Sequence, residues 1–177
     1  MCGIVGYTGA RQAAQFLLDG LKRLEYRGYD SAGLALVHDG QIEVHKAPGK
    51  ISVLEQELGN HPPPGTTGIA HTRWATHGAP NAVNAHPHTD CGGTVALAHN
   101  GIIENAGALR TALTKRGHVF RSETDTEVLP HLVEELLAKG ASLVEAVAGA
   151  LHQVEGTYRS EERRVGKECR SRWSPYH

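Results

Sequence analysis

The chain has 177 residues, 40% of them hydrophobic and 21% charged, with a formal net charge of -1. That length buries one sizeable core, and so balanced a charge gives no case for nucleic acid or an anionic membrane as a partner. No apolar run approaches a membrane span, and no basic stretch precedes a greasy one at the N-terminus, which excludes a secretory signal.

Taken in chain order, residues 3–7 (GIVGY) read as a short buried strand, and 13–27 as an amphipathic helix with Ala14, Leu17, Leu18, Leu21 and Leu24 along one face. Residues 31–38 and 41–46 are strands joined by Asp39-Gly40, a strong hairpin signal. A short helix at 51–58 ends at the HPPPG run, which cannot continue it. Strands follow at 68–75 and 94–99. Between them a loop rich in Pro, Asn, His and Gly runs from Gly78 to Gly93, longer than an idle connection needs to be. Helices are expected at 106–116, 124–139 and 142–154, with Pro130 marking either a kink or a first turn. Early hairpins and late helices predict an α+β fold with antiparallel sheets. The stretch after Ser160 has no apolar period, and residues 160–177 are expected to be an unrelated or disordered tail beside a domain spanning 1–159.

The three cysteines, Cys2, Cys91 and Cys169, are too few and scattered for a disulfide framework, and free thiols without a leader point to the cytoplasm. Cys2 becomes the first residue if Met1 is removed, which its small side chain permits. The freed α-amine, with an ordinary pKa of about 7.7–8.0, can take the thiol proton, giving an N-terminal nucleophile that needs no distant histidine. The plain alternative is a small buried hydrophobe.

A thiolate attacking an amide carbonyl creates an oxyanion that needs fixed donors. HNGIIEN (99–105) offers the Asn100 side chain and the Gly101 N–H, although Asn-Gly is also an ordinary hairpin turn. An amino-acid substrate needs partners for its α-carboxylate and α-ammonium. Arg73 in HTRWATHG suits the first, with a surface ion pair as the alternative. Asp125 in SETDTE suits the second, with helix-terminus chemistry as the alternative.

MCGIVG, LEYRGYDSAG (24–33), AHTRWATHG (70–78), VNAHPH (83–88), HNGIIEN (99–105) and SETDTEV (122–128) occur in one order. Together they resemble the class II glutamine amidotransferase domain that begins the glutamine–fructose-6-phosphate aminotransferase (isomerizing) family. The resemblance runs from Met1 to about Tyr158. It implies an N-terminal-nucleophile αββα sandwich, with L-glutamine hydrolysed through a thioester on Cys2 and no cofactor. It also implies an oxyanion hole of Asn100 and Gly101, with Arg73 on the glutamine carboxylate and Asp125 on its ammonium. Trp74, Thr76, His77 and Gly78 would line and cover the pocket, with Arg27 supporting it. In that family a sugar-isomerase half receives the ammonia and converts fructose 6-phosphate to glucosamine 6-phosphate, and the parent is expected to be a homo-oligomer. No such half is present, and departure from the pattern after Tyr158 implies a C-terminally truncated domain. A catalytically dead fragment of the same domain is therefore a second reading.

A third reading is a metal-binding His/Cys protein. His86-Pro-His88 followed by Cys91 has ligand types at tight spacing, with His71, His77 and His99 available. The intervening proline and the lack of a second clustered pair leave that geometry unsupported, and no metal is expected.

Overall fold

Period-two alternation along the strands decides the layering. The computed structural model describes residues 2–28, 30–59, 62–74, 78–164 and 169–172, and for Arg27 and from residue 157 onward it describes backbone alone. One antiparallel sheet holds β1 (Gly3–Thr8), β2 (Ser31–His38), β3 (Gln41–Pro48) and β4 (Thr67–Arg73) in the order β1-β4-β2-β3. A second holds β5 (His88–Thr89), β6 (Val95–Ile103), β7 (Gly156–Arg164) and β8 (Cys169–Arg172) in the order β5-β6-β7-β8.

On β2, Leu34 and Leu36 turn outward to meet Ala14, Leu17 and Leu21 of α1 (Ala13–Leu24) and Leu54 of α2 (Ile51–Leu58). Ala35, between them, turns inward. On β6, Val95 and Leu97 pack under α3 (Ala106–Lys115), α4 (Val128–Ala138) and α5 (Leu143–Leu151), while Ala96 and Ala98 face the other sheet. The result is the expected αββα sandwich. Each outer hydrocarbon layer is leucine-rich, and a fully buried leucine contributes about 2 kcal/mol by leaving water. The middle layer is thin, built on Ala35, Ile69, Ala96 and Ala98.

The Asp39-Gly40 hairpin forms as expected, with φ of 46° and 75° at the two turn residues. Other boundaries differ for identifiable reasons. α1 stops at Leu24 and tightens into a 3-10 turn over Glu25–Arg27. α4 starts at Val128, not 124, which places Pro130 in its first turn. The residues before it stay in a loop because Glu127 accepts from the N–H groups of Arg121 and Ser122 and from the Ser122 hydroxyl, each at 2.7 Å. α5 is shorter than expected, starting after a capping box formed by Ser142 and Glu145.

HNGIIEN is no turn, since β6 runs through it to Ile103, and the expected loop at 78–93 contains β5. The patternless stretch after Ser160 contributes backbone strands. β7 pairs with β6 from Gly156↔Ile103 to Arg164↔Val95, and β8 pairs with β7. A ladder is a backbone property, so an absent side-chain pattern does not prevent it. No helix among the described residues is long and apolar enough to cross a membrane.

Candidate active site

Alternation along β1 sends Val5 and Tyr7 toward α1 and Ile4 toward the second sheet, so Cys2 shares the side of Ile4. The β1–β4 register pairs Gly3 with Thr72, which brings Cys2 level with the end of β4. There the Trp74 N–H donates to Cys2 Sγ at 3.2 Å, and Sγ lies 3.7 Å from the Trp74 carbonyl. The thiol is only partly buried. It is therefore neither a packed hydrophobe nor a solvent-facing residue.

Asn100 arrives from the other sheet on the face shared by Ala96 and Ala98. Its Nδ2 donates to the Cys2 carbonyl at 3.4 Å, and its Oδ1 lies 2.8 Å from His71 Nε2. An amide oxygen only accepts, so His71 carries its proton on Nε2 and fixes which way the amide points. The next residue, Gly101, has φ of 147°, a conformation that side chains avoid. Cys2 and Asn100, 98 residues apart in sequence, thus meet across the sandwich.

Arg73 is buried, with 4% of its surface exposed, which rules out a surface ion pair. Its guanidinium donates to the carbonyls of Gly78 and Ala79 at 3.4 Å each. Gly28 and Asp30 hold the end of β4: Asp30 N–H donates to the Arg73 carbonyl at 3.3 Å, and Thr72 Oγ1 donates to the Gly28 carbonyl. A Cβ on Gly28 would stand 2.6 Å from the Arg73 carbonyl oxygen, so only glycine allows this approach. The support expected from Arg27 falls on a side chain outside the described residues, as do Thr76 and His77. Trp74 sits at the rim with 49% of its surface exposed.

Asp125 is not in a helical turn. Its Oδ2 accepts the Ile103 N–H at 2.8 Å, joining the loop to β6 three residues beyond Asn100. Two residues without a role in the sequence reading hold this region. Arg110 donates to the carbonyls of Ser122 and Thr124 at 2.9 and 2.7 Å, and lies over Phe120. Asn84 donates to the Ala79 carbonyl at 3.0 Å and accepts the Glu123 N–H at 2.9 Å, tying the Arg73 loop to the Asp125 loop. Nothing in the spacing of Arg110 signals this, whereas Asn84 at least lies inside the VNAHPH motif.

Behind the site lies a stack of buried histidines. His71 and His86 have ring centroids 4.4 Å apart, and His86 and His88 4.6 Å. His99 donates its N–H to His86 Nδ1. Burial pushes His71 and His99 down to about 4, and drives His86 and His88 well below the ordinary range. Between pH 6.5 and about 4 the unfolded chain takes up protons that the native histidines refuse. Stability is therefore full above 6.5 and falls as pH drops toward 4, by up to about 3 kcal/mol for each of His71 and His99. Glu127 acts later. Burial works against its charge, but the neighbouring His131 imidazole and hydrogen bonds from the Arg121 N–H and from Ser122 hold it at about 2, so its contribution fades only below about pH 4.5. Urea unfolding at a series of pH values checks this, and a midpoint unchanged from pH 6.5 to 4.5 would contradict it.

The sequence-level metal grouping is not what the fold assembles. His86 and His88 belong to the histidine stack, and Cys91 instead converges with His118, His131 and Glu134.

A family model described as a glutamine amidotransferase domain matches residues 71–160. Glutamine–fructose-6-phosphate aminotransferase (isomerizing) of Pyrococcus horikoshii is 54% identical over 158 residues, covering 89% of this chain and 26% of the relative. The protein of the same name from Thermus thermophilus is 58% identical with the same coverage. The chain thus spans about a quarter of the length of the curated relatives it matches. Among solved structures, the glutamine phosphoribosylpyrophosphate amidotransferase from B. subtilis superposes with a TM-score of 0.78 at 30% identity, over 93% of this chain and 35% of that one.

Proposed function

Since the chain belongs to the glutamine amidotransferase domain family, we propose that it is the glutaminase half of an amidotransferase, with Cys2 as nucleophile. Removal of Met1 frees the Cys2 amine, which takes the thiol proton. Sulfur attacks the carboxamide carbon of L-glutamine, and the tetrahedral oxyanion is held by Asn100 Nδ2 and the Gly101 N–H. The C–N bond breaks, ammonia leaves with the proton from the amine, and a γ-glutamyl thioester remains. Water then adds to the thioester, releasing glutamate and restoring the thiol.

Arg73, buried and therefore poorly screened, takes the glutamine α-carboxylate, and Asp125 takes the ammonium. Trp74 and Gly78 line and cover the pocket, a part the family resemblance also gives to Thr76 and His77, which lie outside the described residues. In the full-length protein a sugar-isomerase half uses the ammonia to convert fructose 6-phosphate to glucosamine 6-phosphate. That substrate assignment is supported by the names of the relatives above 50% identity.

The observation that carries this reading is the meeting of Cys2 with Asn100 across two sheets. Its test is covalent labelling with a diazo-ketone analogue of glutamine. Mass spectrometry should find one equivalent on Cys2, with excess glutamine slowing the reaction. A label on Cys91 or Cys169 would overturn the assignment.

A further inference from the structure

Four side chains on the far side of the second sheet converge without any part in glutamine chemistry. Cys91 comes from the turn between β5 and β6, His118 from the segment after α3, and His131 and Glu134 from one face of α4. One ligand atom from each lies within 4.8 Å of all the others. Cys91 Sγ is 3.7 Å from His118 Nδ1 and 3.6 Å from His131 Nδ1. The two Nδ1 atoms are 3.3 Å apart, and Glu134 Oε2 stands 3.0 and 3.3 Å from them.

We propose that Cys91, His118, His131 and Glu134 form a zinc site. Zinc bonds of about 2.3 Å to sulfur and about 2.0–2.1 Å to nitrogen or oxygen imply tetrahedral edges of about 3.6 Å for S···N and about 3.3 Å for N···N and N···O. The separations in the fold fall close to these edges. Both imidazoles present Nδ1 to the centre, so their protons belong on Nε2. His118 Nε2 lies 3.2 Å from Glu135 Oε1, and His131 Nε2 faces Glu127 Oε1 at 4.0 Å. The carboxylate on His118 Nε2 is the arrangement that fixes a ligating histidine's tautomer and raises its basicity, while Glu127 stands beyond hydrogen-bond reach of His131.

Thiolate and imidazole together select zinc over magnesium or calcium. Four protein ligands leave no position for a reacting water, so the ion is structural. On binding, sulfur and metal form a bond and the Cys91 thiol proton passes to solvent. The ion would fasten the β5–β6 turn to the start of α4, and so brace the 122–127 loop that carries Asp125. This proposal is independent of the glutaminase reading.

The test uses the whole chain, stripped with a chelator and kept reduced by a phosphine. One equivalent of cobalt(II) should give a thiolate-to-cobalt charge-transfer band and intense tetrahedral bands in the visible, and one equivalent of zinc should erase both. Zinc should also raise the melting temperature, since it binds the folded chain at a preformed site. Cys91→Ser should remove the charge-transfer band, while Cys169→Ser should keep it. His118→Gln, a change at a loop position, should weaken zinc binding by more than about 100-fold and leave the metal-free melting temperature in place. No cobalt bands, octahedral bands, or a charge-transfer band that survives Cys91→Ser would overturn the proposal.

Discussion

Replacing Cys2 by alanine is expected to lower glutamine hydrolysis by at least about 10⁴-fold while leaving the fold intact. Alanine is still small enough for Met1 to be removed, so the amine persists and only the attacking atom is lost. The structural cost is slight. Sγ accepts one N–H, from Trp74, at a partly exposed position, worth about 1 kcal/mol. Thermal unfolding alongside turnover separates the two effects, and residual activity above about a tenth of the parent chain would move the nucleophile elsewhere. The companion experiment keeps sulfur and blocks the amine. A chain that retains Met1 should be as inactive as the alanine variant, because its Cys2 nitrogen is an amide and cannot take the thiol proton. Full activity there would reject the amine as base.

Asn100→Ala should reduce kcat by about 10²–10³-fold with little change in KM, because a lost oxyanion donor weakens the transition state and not the ground state. The Asn100 amide is held by its neighbours in the protein itself. His71 Nε2 holds Oδ1 at 2.8 Å and so leaves Nδ2 pointing at Cys2. Steady-state kinetics of the variant, with diazo-ketone labelling as a check that Cys2 is still reached, reads this directly. A rise in KM with unchanged kcat would instead make Asn100 a substrate-binding group.

Much of the fold is visible in local pattern. Apolar spacing marks α1, alternation marks β3, and Asp39-Gly40 turns the hairpin between β2 and β3 where positive φ is needed. The proposed site residues are picked out through residue chemistry, as cysteine beside a terminal amine, arginine at a strand end and asparagine before glycine, and the fold brings Cys2 and Asn100 together. What escapes is set by distant groups. Whether Asn-Gly turns or extends depends on β7, more than 50 residues later, pairing alongside it. Whether 124–127 is helix depends on Glu127 spending its carboxylate on the backbone of Arg121 and Ser122. The Cys91 cluster is invisible because its members are spread from 91 to 134 and only the packing of α4 gathers them.

The alanine-built middle layer has a consequence for reactivity. Cys2 precedes a strand of one sheet and Asn100 lies on the other, so the gap between the Cys2 sulfur and the Asn100 amide follows how closely Ala35 and Ile69 sit on Ala96 and Ala98. On the proposed reading, this hydrocarbon layer is the spacer that sets the reach from sulfur to amide.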